Sequence, residues 1–277
     1  MKFKLVADSS ADLRLLPGAV DYAVVPLKII AGDMEFVDDT NLDVADMVAK
    51  LGTHKGKSGT ACPSVADYIQ AFGDAQYVIC VTITSNLSGS CNAARLAKED
   101  YESAYPDRKV YIVDSLSAGP ELKLIMERAR DLIEAGEEFE SICRQLKEYQ
   151  QQTALLFSLE SLRNLANNGR VSPVVAKIAG VLGIRVVGKA SDVGTLEPMD
   201  KCRGERKALE KLAARMTEMG YSGGRVIIDH CANPDAARQL KEIILAKYPH
   251  GDITIAETYG LCSFYAEKGG LLMGFEK

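Results

Sequence analysis

No apolar stretch in the 277 residues reaches the roughly 18 that a membrane-spanning helix needs, so any dealing with lipid is expected to be binding, with no integral membrane association. Charge of one sign is not massed anywhere either. The 33 Lys and Arg are interspersed with 38 Asp and Glu, for a formal net charge of -5. A nucleic-acid partner calls for a clustered basic stripe whose phosphate contacts release counterions, so none is expected. The first residues, Met1 to Asp12, lack the basic, long-apolar, small-residue order of a secretory signal, and the expected location is cytoplasmic. The seven cysteines at 62, 80, 91, 143, 202, 231 and 262 include no C-x-x-C pair and read as reduced thiols. With His54, His230 and His250 far apart, close-spaced ligands for a structural zinc are missing.

Signatures of covalent chemistry are also absent. There is no G-x-x-x-x-G-K-[ST] loop and no G-x-G-x-x-G after a strand. A nucleophile needs a base beside it, and no histidine lies in a recognisable motif. His230-Cys231 is the one tempting pair, but neighbours on a strand point to opposite faces. The chain is therefore expected to be no enzyme and to carry no cofactor.

What is present is an ordinary globular composition, 47% hydrophobic and 26% charged, long enough for two modest domains. Phe3 to Ala7 reads as a strand, followed by the turn and cap residues Asp8, Ser9, Ser10 and Asp12. Val24 to Ala31 with Gly32-Asp33 and Met34 to Val37 reads as a hairpin. Helices are expected over Leu42 to Leu51 and Ser64 to Phe72, the latter opened by Pro63 and a Ser64/Asp67 capping box. Tyr77 to Ile83, the loop Thr84 to Ser90 and a helix to about Tyr101 form a strand, loop, helix unit. Val110 to Asp114 starts a second, with a helix to Glu134 and another over Glu138 to Gln150. Such alternation implies a parallel sheet covered by helices.

After Gln150-Gln151-Gln152 short strands recur, at Thr153 to Phe157, Ile184 to Lys189, Val193 to Pro198, Val226 to Asp229, Ile253 to Glu257 and Leu271 to Phe275. Gly188 to Gly194 resembles a hairpin turn. The expected architecture is α/β in two domains, residues 1–151 with a parallel sheet and flanking helices, and residues 152–277 with a mixed sheet and helices.

Several segments are candidates for a ligand. Thr84 to Ser90 follows a strand and feeds a helix start, where backbone amides and the hydroxyls of Ser85, Ser88 and Ser90 can face an anion, with Gly89 in the turn. The plainer reading has Ser88 as a helix cap and Gly89 as a turn residue. Thr60 precedes a second helix start and could be a second ligand donor, though Pro63 at the first turn and Ser64 as cap account for most of that pattern. Arg170 either meets an anion or caps the helix that Asn167-Asn168-Gly169 ends. Val174 to Val187, apolar except for Lys177 and Arg185, belongs in a core or a cavity wall.

Asp8-Ser9-Ser10, Thr60-x-x-Pro63-Ser64, Thr84 to Ser90, Val113-Asp114-Ser115, Leu162-x-x-Leu165-x-x-x-Gly169-Arg170 and Lys201-x-Arg203 together resemble the DegV family, in order and over nearly the whole chain. The resemblance implies two α/β domains around one long-chain fatty acid, its carboxylate held in 1–151 and its acyl chain enclosed by 152–277. By the same resemblance Thr60 and Ser88 match the carboxylate-binding positions, and Arg170 and Arg203 would steady the anion or dock a separate fatty acid kinase subunit, which would do any phosphorylation. Ala61 stands where many members carry serine, and Ala266 at about the place of a family histidine. Two rival readings are an acyl transferase or hydrolase using the serine loop, and a lipid-sensing regulatory module.

Overall fold

A computed structural model describes residues 2–172 and 183–277; Pro173 and the predicted apolar segment from Val174 as far as Leu182 lie outside the described residues. The first part of the chain carries β1 (Phe3–Asp8), β2 (Asp21–Val25), β3 (Lys28–Ala31), β4 (Met34–Val37), β5 (Ser58–Ala61), β6 (Tyr77–Thr82) and β7 (Lys109–Asp114). Its helices are α1 (Val44–Thr53), α2 (Val65–Phe72), α3 (Ser90–Ala104), α4 (Pro120–Glu134) and α5 (Phe139–Gln151). The strands β2-β1-β6-β7 form an all-parallel sheet, as the alternation implied. The expected hairpin is shorter than its sequence pattern. Val24 and Val25 end β2 in the parallel sheet, Pro26 breaks the run because it has no N–H to give a ladder, and only β3 and β4 pair through Gly32-Asp33. A third strand, β5, joins them antiparallel and carries Thr60 opposite Ile29, so Thr60 lies on a strand and not merely on the approach to a helix. The capping box of α2 is formed, with Ser64 Oγ accepting from the Asp67 amide and Asp67 Oδ2 from the Ser64 amide.

The remaining strands are β8 (Thr153–Leu159), β9 (Ile184–Ala190), β10 (Leu196–Arg203), β11 (Arg225–His230), β12 (Asp252–Glu257) and β13 (Leu271–Glu276). The helices here are α6 (Arg163–Asn167), α7 (Glu205–Glu218), α8 (Pro234–Lys247) and α9 (Gly260–Ala266). The strands form one mixed sheet in the order β10-β9-β8-β13-β11-β12, antiparallel except for the β11–β12 pair. The predicted hairpin is β9–β10, but its turn is Ser191–Thr195 and Gly188 lies inside β9.

Helix α4 sits between the two large sheets, packing on β1 and β6 and also on β11 and β13. Leu5, Ile79, Leu122 and Ile125 share one buried cluster with Ile227 from the mixed sheet. Gly274 of β13 permits this approach, since a Cβ there would stand 2.7 Å from the α4 backbone at Pro120 and Glu121. Lys123 of α4 forms a buried ion pair with Asp229 of β11, Nζ lying 2.8 Å from both carboxylate oxygens.

Candidate functional site

Leu27, Ile83 and Ala118 follow the carboxyl ends of β2, β6 and β7, the edge of a parallel sheet where ligands gather. They face Leu155, Phe157 and Leu159 of β8 and Leu272 of β13 across a largely apolar cavity. α9 supplies Leu261, Cys262, Tyr265 and Ala266, and the hairpin strand β10 supplies Leu196.

Polar groups enter this lining at Thr60, Ser88, Arg170 and Tyr265. Ser88 Oγ accepts from the Ser90 amide at 3.2 Å although the cap residue of α3 is Gly89 and not Ser88; the oxygen serves the approach to the helix while the O–H remains a donor. Thr60 Oγ1 and the Tyr265 hydroxyl lie 2.8 Å apart. Two hydroxyls sharing one hydrogen bond leave a second proton to give to an anion. Arg170 closes the preceding helix and also lines the cavity. Its amide donates to Leu165 O at 2.8 Å past Gly169, whose φ of +73° closes the helix, and its guanidinium reaches the lining, with Nε donating to Leu87 O at 3.1 Å. The guanidinium carbon is 6.0 Å from the Tyr265 ring centre. Burial pushes the Tyr265 hydroxyl above its ordinary value, opposed by the Thr60 hydrogen bond and the nearby arginine, so the phenol stays a neutral donor.

Other expected residues fall elsewhere. Ser85 is exposed and absent from the lining, because the loop turns outward and its amide is bound to Asp114 Oδ1 at 3.0 Å. Gly89 is also exposed and outside the lining; it is the cap residue of α3, packed so that a Cβ would come within 3.1 Å of Cys62 Sγ. Arg203 is exposed at the end of β10, away from the cavity. The lining draws on both halves of the chain: Arg170 and Tyr265 of the second stand with Thr60 and Ser88, and Leu27, Ile83, Leu87 and Ala118 of the first stand with the apolar residues of β8 and β13.

A layer of buried carboxylates behind the lining holds it in place. Asp8 accepts from the Ile83 amide at 2.9 Å and from Ser90 Oγ at 2.6 Å, fixing both ends of the serine loop. Ser9 Oγ accepts from the Leu27 amide at 3.0 Å. Asp38 accepts from the Gly260 and Leu261 amides, both at 2.8 Å, and Asp12 from the Tyr259 amide at 2.8 Å, so the start of α9 is seated by acids from the first half. Burial raises the carboxyls of Asp8, Asp12 and Asp38 above the usual range, with hydrogen bonds from these amides pulling the other way. The sequence reading missed Tyr265 and the roles of Asp12 and Asp38. The segment from Gly260 to Gly270 drew notice only for Ala266, Asp12 read as a turn or cap residue, and Asp38 stands in no motif. Among the described residues, no group of three or more His, Cys, Asp or Glu side chains could hold a metal ion, and no helix is long and apolar enough to cross a membrane.

A family model described as an uncharacterised protein of the DegV family matches residues 2–276. A DegV domain-containing protein of Streptococcus pneumoniae strain R6 is 44% identical over 279 residues, covering 100% of this chain and 99% of its own. Among solved structures, the Streptococcus pneumoniae fatty acid kinase (Fak) B3 protein loaded with linoleic acid superposes with a TM-score of 0.98 at 44% identity, over 100% of this chain and 99% of that one. A DegV family protein from Eubacterium eligens loaded with heptadecanoic acid gives a TM-score of 0.97 at 44% identity, over 99% of each chain.

Proposed function

The chain belongs to the DegV family, and from that premise we propose that it holds one long-chain fatty acid in the cavity, its carboxylate at Thr60, Ser88, Tyr265 and Arg170 and its acyl chain against the β8 wall. The observation that carries this reading is the gathering of three hydroxyls and one guanidinium in a cavity whose lining is otherwise apolar among the described residues. Burial of each methylene is worth about 0.8 kcal/mol, so the chain supplies most of the affinity and the hydroxyls orient the head. Two relatives at 44% identity hold linoleic and heptadecanoic acid, which supports the ligand class.

Binding is the whole of the role proposed for this chain. No histidine or carboxylate lines the cavity beside Ser88 among the described residues, so the serine has no base to activate it. Phosphorylation of the bound acid would belong to a separate kinase subunit, for which Arg170 at the polar end and exposed Arg203 are the docking groups we assign. The division at 151/152 follows the point where the mixed sheet begins, and a cytoplasmic location fits seven unpaired thiols.

Native mass spectrometry of the purified protein, followed by denaturing extraction, tests the reading. One fatty acid per chain, loosened in Ser88→Ala, is the expected result. An empty protein that takes up no fatty acid after delipidation overturns it.

A further inference from the structure

We propose that Phe157 and Gly188 act as a pair to set the width of the lumen, and with it which acyl chains are accepted; this rests on the fatty-acid reading above. On β8, Leu155, Phe157 and Leu159 face the cavity, while Ala154 and Leu156 pack into the core on the other face of the sheet. Phe157 is the bulkiest apolar side chain of that wall, 2% exposed. Its partner in the antiparallel ladder is Gly188 of β9. Directly opposed residues project to the same face, so position 188 points toward the lumen as Phe157 does, and it is empty. The ring fills that space: a Cβ on Gly188 would stand 2.3 Å from Phe157 Cζ and 2.7 Å from Cε2.

Glycine at 188 therefore lets the ring lie flat across the neighbouring strand instead of standing in the cavity. The remaining direction is closed as well, because the same Cβ would meet the Glu197 carbonyl oxygen of β10 at 2.7 Å. Any side chain at 188 must drive the ring toward the lumen and narrow it. Shortening residue 157 does the reverse and opens space that additional methylenes can fill.

Delipidated protein is offered an equimolar mixture of palmitic and stearic acid, and the bound ratio is read by native mass spectrometry. In Phe157→Ala the stearic-to-palmitic ratio rises by up to about 15-fold, the worth of two methylenes at about 0.8 kcal/mol each. Phe157→Leu, which preserves an apolar core, moves the ratio the same way by less. Gly188→Ala lowers uptake of both acids, and Phe157→Ala restores it in the double variant, since removing the ring removes the clash that matters to the lumen. A ratio unchanged in both Phe157 variants overturns the inference while leaving fatty-acid binding intact. A double variant as empty as Gly188→Ala assigns the defect to the β9–β10 backbone and overturns the part given to Gly188. If the wild-type protein takes neither acid, the fatty-acid reading itself falls and this inference with it.

Discussion

At the polar end of the cavity, Thr60, Ser88, Arg170 and Tyr265 are each half-buried and sit on an edge strand, a loop, a helix exit and a short helix. Along the wall, Leu155, Phe157, Leu159 and Leu272 are buried on β8 and β13, two interior strands of the six-stranded sheet. The polar groups already bond to one another or to backbone before any ligand arrives, so they are donors held in place at little further entropic cost. The wall has no such partners to arrange; it offers area. An acid held this way owes its orientation to one end and its affinity to the other, and the two can be perturbed separately.

The largest expected effect comes from the joint that keeps the two ends together. Lys123→Ala leaves Asp229 buried without its counter-ion and should cost about 3–5 kcal/mol of stability, read as a lower urea midpoint. A cost below about 1 kcal/mol, the range of exposed pairs, would show that the pair does not bind the α4 layer to the sheet. Next, Ser88→Ala should weaken palmitic and stearic acid alike by about tenfold or more, the value of a hydrogen bond to a charged group. An effect that depends on chain length would erase the distinction between head and wall. Tyr265→Phe keeps the ring and removes one hydroxyl; a uniform loss of about 0.5–1.5 kcal/mol is expected, measured by the same competition. No loss would mean that Thr60 alone supplies that donor.

The smallest effect concerns the seat of α9. Burial, reinforced by the Asp229 charge, holds the Asp12 carboxyl well above its ordinary 3.8. The folded protein thus keeps a proton that the unfolded chain releases. The stability this contributes is full below 3.8 and declines as pH rises toward the folded value. Asp12→Asn should flatten that decline in urea midpoints measured across the acid range, and an unchanged slope would remove Asp12 from the account.

Much of this was legible in the sequence because it is local. The strand, loop and helix around Ser88 follow from a β-branched run ending in small polar residues, and the parallel sheet from the alternation of strands and helices. β5 was not legible: Ser58-Gly59-Thr60-Ala61 has no apolar alternation and is a strand only because β3 offers it an edge. The Thr60–Tyr265 hydrogen bond spans 205 positions, and the Asp38 bonds to the start of α9 span 222 and 223, distances over which no spacing rule speaks. Arg170 shows a different limit. Its two readings were offered as alternatives, yet the backbone closes the helix while the side chain is left free to line the cavity, so the first does not exclude the second.

β13 lies between β8 and β11 although more than a hundred residues separate it from β8 in the chain. Pairings between distant segments are slow to form, since loop closure must be met before they repay it. On a nascent chain emerging from its N-terminus, the first half can assemble its parallel sheet, but Leu272 and the strand that carries it are still to come. The container for the acid is consequently one of the last things this polypeptide makes, and filling it is an event in the life of the finished fold rather than a step in its construction.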